Sequence, residues 1–138
     1  MSATSVELKR QPAAPMAQTL QIRHHTLTSD VSADEGGEDA GPSPHDLYDA
    51  ALGACKALTV MWYARKKGIP LDDVQTAIDR DNSGERTGVY KLTARLTLSG
   101  DLTDAQLKEL TTVAAKCPVH KLMTTVTTEI TTEVERQS

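Results

Sequence analysis

The chain has 138 residues, enough for one domain of ordinary size, and its net charge of −4 argues against a general nucleic-acid binder, which usually presents a basic face. Aromatic residues make up only 3% of the sequence and phenylalanine is absent, so aliphatic side chains and methionine must fill the core. Apolar runs long enough to span a membrane are absent, and two cysteines are too few for a disulfide scaffold.

The N-terminal part of the chain is predicted to be β structure followed by a loop. Residues 1–17 form a poorly defined N-terminal strand and loop, in which apolar residues alternate from Ser5 to Arg10. Alternation at period two continues between Gln18 and Thr28, giving two or three strands in all. Residues 29–43 are acidic and rich in glycine, proline and serine, which is typical of an irregular surface loop.

A long helix follows this loop and has clear signals at both ends. Ser43 is a suitable N-cap, Pro44 suits the first helical position, and Asp46 lies where a capping box places its acidic residue. The helix is expected to run to about Lys67 and to stop at Gly68. Apolar residues recur at spacings of three and four and predict one buried face, formed by Leu47, Ala51, Cys55, Leu58 and Trp62.

The second half of the chain begins with a predicted hairpin. Two alternating runs, 74–78 and 90–98, are separated by the turn sequence Asn-Ser-Gly at 82–84. A strictly alternating segment at 126–134 predicts a last strand.

A second helix is predicted between the hairpin and the last strand. Thr103 and Gln106 form a capping box, and the helix should run to about Lys116 and end at Cys117, because Pro118 disfavours helical geometry in the residue before it. The order along the chain is therefore βββ-α-ββ-α-β, which favours the α+β class over a doubly wound parallel sheet.

The two cysteines are the residues that most directly indicate a function, and three interpretations of their role are open. Both lie on predicted buried faces, where a free cysteine behaves as a small hydrophobic residue. Two helices on one sheet could instead bring the sulfurs of Cys55 and Cys117 together as a redox pair. A zinc site would combine Cys117 and His120 with Cys55 and His45, although Cys55 has no partner ligand at short spacing. His120 could also satisfy a backbone carbonyl or line a cleft.

Several segments, in this order along the chain, closely resemble the osmotically inducible protein C / organic hydroperoxide resistance (OsmC/Ohr) family. The Cys-Pro-Val-His sequence resembles the OsmC-like redox-protein branch in particular. The matching segments are Gly36–Leu47, Ala50–Cys55, Tyr63–Gly68, Leu98–Leu102 and Ala114–His120.

The resemblance implies a single OsmC-like domain over residues 1–138, in a cytoplasmic intertwined homodimer with two central helices packed on antiparallel sheets. It implies thiol-dependent reduction of organic hydroperoxides without metal, flavin or other cofactor. The net charge and the lack of long apolar runs predict no nucleic-acid and no membrane partner. By the same resemblance, Cys55 is the peroxidatic nucleophile and Cys117 the resolving thiol, and an external dithiol or lipoyl-type reductant restores both.

A reactive thiolate needs a nearby cation, and the resemblance indicates where to look for it. In the hydroperoxide-resistance branch an N-terminal arginine from the partner subunit is held by a glutamate directly after the proline of the helix start. Here Pro44 is followed by His45, with Asp46 as the nearest carboxylate, and Arg10 and Arg23 are approximate candidates for the arginine.

Two alternatives remain open beside this scheme. Cys117 could attack first, because it directly precedes Pro118 and could lie at the N-terminus of a helical turn. The chain could also be a stress-related binding module of the same fold with little or no peroxidase activity, because the family's glutamate is missing.

Overall fold

The computed structural model describes residues 5–137, and the chain divides after Ala50 into two compact units. The first carries a three-stranded sheet and the start of the long helix; the second carries the rest of that helix, a two-stranded sheet and two shorter helices. All strand pairs are antiparallel, so the predicted α+β class is confirmed. None of the helices in residues 5–137 is sufficiently long and apolar to cross a bilayer.

The sheet of the first unit is a meander of β1 (Val6–Arg10), β2 (Gln18–Ile22) and β3 (His25–Ser29). The predicted β region between Gln18 and Thr28 is thus a hairpin of two strands. Its turn includes Arg23, whose φ of 55° is left-handed and reverses the chain before His25.

The acidic loop is organised around one buried carboxylate. Asp30 accepts backbone N–H groups from Val31 at 2.8 Å, Glu38 at 3.0 Å and Ala40 at 3.1 Å. These hydrogen bonds, led by that from Ala40, hold the pKa of Asp30 below its ordinary value.

The long helix α1 (Pro44–Lys67) has the predicted bounds. The Ser43 N–H donates to the Asp46 carboxylate at 3.0 Å, and the Asp46 N–H donates to Ser43 Oγ at 3.2 Å, which completes the capping box. Gly68 ends the helix with a φ of 69°, a conformation that glycine adopts without strain.

The buried face of α1 is not the predicted one. Leu58 and Trp62, expected in the core, are 63% and 62% exposed. The helix has two apolar stripes, and the sheet covers the one that contains Gly53, where a side chain would place its Cβ only 3.1 Å from Ile78 Cγ1. The residues buried on this side recur at spacings of four: Leu52, Lys56, Val60 and Ala64.

The predicted hairpin of the second unit is confirmed as β4 (Leu71–Asp81) paired with β5 (Lys91–Gly100). Its connection, residues 82–90, includes a 3-10 turn at Glu85–Thr87. A similar 3-10 turn at Ala33–Glu35 interrupts the acidic loop of the first unit.

Two helices follow the hairpin, α2 (Asp104–Ala114) and α3 (Pro118–Thr124). The capping box predicted for Thr103 and Gln106 is present, with hydrogen bonds of 3.0 and 3.1 Å. Cys117 lies between the two helices as the N-cap residue of α3. Helix α1, the hairpin and α2 enclose a small aliphatic core built on Val60, Ala64, Ile69 and Leu110.

The predicted last strand at 126–134 is absent, which corrects the expected order to βββ-α-ββ-α-α. Residues 126–137 make no strand pairing with the described part of the chain, and Ile130 and Val134 are 82% and 93% exposed. An alternating segment becomes a strand only where another strand satisfies its backbone groups, and this chain supplies none to it within residues 5–137.

Candidate active site

Cys55 lies in the middle of α1, half-buried and reduced. Its Sγ accepts a hydrogen bond from the backbone N–H of Val119 in α3 at 3.4 Å, and it lies 3.9 Å from Thr59 Oγ1, one helical turn further on. A backbone donor directed at sulfur interacts more strongly with a thiolate than with a thiol, because a charged acceptor makes the stronger hydrogen bond.

Cys117 lies next to Cys55 and is fully buried. Burial raises the pKa of its thiol above the ordinary value, and the adjacent Cys55 thiol acts in the same direction. The backbone N–H of His120 and the positive charge of Lys56 oppose them. The two thiols are therefore neighbours in different surroundings, one half-accessible and one shielded.

A buried lysine lies beside this pair. Lys56 is 6% exposed, and its Nζ donates to the Ala114 carbonyl at 2.9 Å and lies 3.0 Å from His120 Nδ1. Lys56 was missed by sequence reasoning. The available signal was the stripe of small and apolar residues at spacings of four, which has a lysine in the middle.

A cavity of about 430 Å³ opens next to these groups. Lys56 and His120 contribute polar atoms to its lining. Its remaining walls are almost wholly aliphatic and come from α1, β5 and α2, including Leu52, Val60, Leu92, Leu96, Leu107 and Leu110. Such a lining accommodates an apolar organic group with one polar end.

The structure thus brings Cys55, Cys117 and His120 together within the second unit. Among residues 5–137 there is no group of three or more histidine, cysteine or carboxylate side chains that could hold a metal ion. The Nδ1 nitrogen of His120 faces the Lys56 side chain at 3.0 Å.

The four other predicted residues belong to the first unit. Arg10 donates from Nη1 to the carbonyls of Gln11 at 3.1 Å and Ala14 at 2.8 Å. Arg23 lies in the β2–β3 turn, and His45 and Asp46 lie in the first turn of α1. Their assignment to the site stays a prediction.

A comparison with protein families decides where this chain belongs. The family model described as OsmC-like protein matches residues 36–133, well over half of the sequence and both cysteines. The chain belongs to the OsmC-like protein family.

Solved structures share the fold of this OsmC-like protein. A protein of Psychrobacter arcticus, named as an osmotic stress induced and detoxification response protein, superposes with a TM-score of 0.73 at 18% identity, covering 88% of this chain and 89% of the other. The organic hydroperoxide resistance protein OsmC of Legionella pneumophila gives a TM-score of 0.61 at 18% identity, covering 91% and 93%. The organic hydroperoxide resistance protein OhrB of Bacillus subtilis gives 0.56 at 18% identity, covering 88% and 92%.

These identities are low, so the superpositions establish the shared fold alone. No protein of curated function matches the sequence. The expectation of an OsmC-like fold is confirmed, and the chemistry of this member has to be argued from its own residues.

Proposed function

We propose that this OsmC-like protein is a cysteine-based peroxidase that reduces organic hydroperoxides at Cys55 and Cys117 with electrons from an external dithiol. The observation that carries the proposal is the contact between two reduced thiols from different elements, one half-accessible and one fully buried. Structural cysteines need no such contact, whereas a sulfenic acid–disulfide cycle requires it.

The cycle balances without a metal or other cofactor. The Cys55 thiolate attacks a peroxide oxygen, the O–O bond breaks, and the alkoxide takes a proton and leaves as an alcohol while the sulfur becomes a sulfenic acid. Cys117 then attacks that sulfur, so that an S–S bond forms and the sulfenic oxygen leaves as water. A dithiol or lipoyl-type reductant reduces the disulfide by exchange and is itself oxidised to a disulfide.

The surroundings of each sulfur support these roles. Cys55 is the more accessible thiol and accepts the N–H of Val119, which favours it as the attacking group. The alternative of Cys117 as first attacker relied on stabilisation by the start of α3. Burial outweighs the backbone N–H of His120 in α3 and raises the pKa of Cys117, while another α3 donor, the N–H of Val119, is directed at Cys55 at 3.4 Å.

The aliphatic cavity supports organic rather than inorganic peroxides as substrates. Its walls carry leucine side chains from β5 and α2, and its polar groups lie at Lys56 and His120, beside the cysteine pair. An apolar substituent would occupy the leucine-lined part while the peroxide group is directed towards the sulfur.

The proposal includes a cytoplasmic homodimer. The cycle returns to two thiols only where a dithiol reductant is present, and cytosolic thiols are kept reduced. Leu58 and Trp62 on α1 expose a large apolar surface, and the alternating tail has Ile130 and Val134 in solvent. A second copy would cover such surfaces. Sedimentation should show a dimer that Leu58→Glu weakens, and a wild-type protein monomeric at micromolar concentration would contradict this part.

The peroxidase proposal is tested with cumene hydroperoxide and dithiothreitol. The wild type should turn over many times. Cys117→Ser should consume a single equivalent without dithiothreitol and leave a sulfenic acid on Cys55 that dimedone traps. Cys55→Ser should lose the reaction. The control Ala54→Ser, at an exposed neighbour on the same helix, should behave as the wild type.

Peroxide consumption by Cys55→Ser at the wild-type rate would contradict the assignment of the nucleophile. Absence of consumption by the wild type would favour the second candidate, a binding module. The observation behind that candidate is the cavity itself, which could hold an apolar ligand without any reaction. An apolar fluorescent probe displaced by organic ligands from the Cys55→Ser, Cys117→Ser double variant would measure such binding.

A further inference from the structure

Lys56 occupies a position that is costly for an ammonium group. The residue is 6% exposed, and a buried charge is tolerated only when hydrogen bonds replace its hydration. Its Nζ makes two such contacts, with the Ala114 carbonyl at 2.9 Å and His120 Nδ1 at 3.0 Å. Both hydrogen-bond partners lie close to the cysteine pair, and this distinguishes Lys56 from a lysine that only fills space in the core.

These two contacts bracket Cys117. Ala114 is the last residue of α2 and His120 lies in α3, so the segment between them carries the buried cysteine. The same segment supplies the Val119 N–H to the sulfur of Cys55. Lys56, which follows Cys55 on α1, therefore ties both ends of the Cys117 segment to the helix of the other cysteine.

The charge of Lys56 acts on the same pair. Cys55 and Lys56 on α1 and His120 on α3 are the titratable groups the structure places around Cys117. Of these, Lys56 lowers the pKa of the Cys117 thiol by its positive charge. An ammonium close to a buried cysteine favours the thiolate over the thiol, because opposite charges attract strongly in a poorly hydrated site.

We propose that Lys56 is a positioning residue of the cysteine pair, whose ammonium holds the 114–120 segment against α1 and supplies the positive charge that a thiolate of the pair requires. The role depends on a lysine or arginine at this position. The inference rests on the proposed function, since only a reacting cysteine pair needs such a group.

Three variants separate charge from packing. Lys56→Met keeps the aliphatic stem and removes the charge, Lys56→Gln keeps a hydrogen-bond donor without the charge, and Lys56→Arg keeps the charge. The matched control is Lys116→Met, which removes an exposed lysine adjacent to Cys117 in the chain. Circular dichroism and thermal melting identify the variants that fold.

The readouts require no peroxide. Thiolate absorbance against pH and the rate of alkylation by iodoacetamide are measured on reduced protein. Lys56→Met and Lys56→Gln should raise the thiolate midpoint by about one pH unit and slow alkylation at pH 7 by about three- to fourfold, because the more basic thiolate is also the better nucleophile. Lys56→Arg should retain most of the wild-type behaviour, and Lys116→Met should match the wild type within about twofold.

An unchanged midpoint in either neutral variant would overturn the inference, as would an equal shift in Lys116→Met. A raised midpoint in both neutral variants, when both still fold, would not be explained by altered packing, because the Gln and Met side chains differ in shape and share only the missing charge. Peroxide turnover by the same wild-type preparation is measured as a separate test of the proposed function. Absent turnover with a clear Lys56 effect would refute the proposed function and leave the charge effect of Lys56 standing.

Discussion

The different surroundings of the two cysteines predict a large difference in their reactivity. Limited treatment of the reduced protein with iodoacetamide at pH 7 should label Cys55 at least about tenfold faster than Cys117. Cys55 is half-buried and therefore partly within reach of the reagent, whereas Cys117 has no exposed surface. The measurement needs no peroxide and no substitution.

The magnitude follows from protonation and access at Cys117. Burial raises the pKa of the Cys117 thiol, so less of it is thiolate at pH 7 than the about 3% of an exposed cysteine of ordinary pKa near 8.5. A local opening that costs only about 1.4 kcal/mol lowers the rate by a further factor of about ten. Together these factors make Cys117 at least about tenfold slower than an exposed thiol.

The assay is peptide mass mapping of protein quenched after partial reaction. Unfolding in urea should bring the two labelling rates within about twofold, because both differences come from the folded structure. In Cys55→Ser, Cys117 should remain slow, since its shielding does not depend on the other sulfur. Labelling of Cys117 as fast as Cys55 in the native protein would refute the assignment of accessible and shielded thiols.

Three further predictions concern the stability of single elements of the fold. Leu110→Ala removes a fully buried core side chain and should lower the free energy of unfolding in urea by about 2–5 kcal/mol, whereas Leu122→Ala, at an exposed position, should change it by less than about 0.5 kcal/mol. Thr103→Ala should cost about 1 kcal/mol in the same titration through the lost N-cap of α2, and Thr103→Ser should recover most of it; equal stability of the two would argue against the cap. The pKa of Asp30 lies below its ordinary value of 3.8, so its stabilising contribution is present above that pH and is lost as the pH falls through the lower value of the folded protein. Asp30→Asn should therefore flatten the acid side of the curve of melting temperature against pH, and an unchanged slope would contradict this interpretation.

Sequence patterns predicted the local structure well where the signals are local. The capping boxes at Ser43 and Thr103 each depend on residues three positions apart, and both helices begin where these boxes lie. Gly68 and Pro118 likewise bound helices through their own backbone preferences. The two cysteines were singled out because they are the only cysteines of the sequence and each lies on a predicted apolar stripe, and their chemistry stays a prediction.

Sequence patterns were wrong where a partner surface decides the outcome. Helix α1 has two apolar stripes, and periodicity alone does not choose between them; the close approach of Ile78 to Gly53 buries the stripe that contains Lys56. The alternating segment at 126–134 has the pattern of a strand, but strands form by pairing, and the described residues supply no partner strand.

The length, composition and cysteine count restricted the protein to one domain of ordinary size with an aliphatic core and with too few cysteines for a disulfide scaffold. Tertiary structure alone decided which sulfur is shielded, which groups face it and which lysine lies beside it. Local preferences depend on neighbours along the chain, so they can be read from the sequence. The burial of Cys117 and the contacts of Lys56 depend on packing between α1 and the segment after α2, which are far apart in the chain.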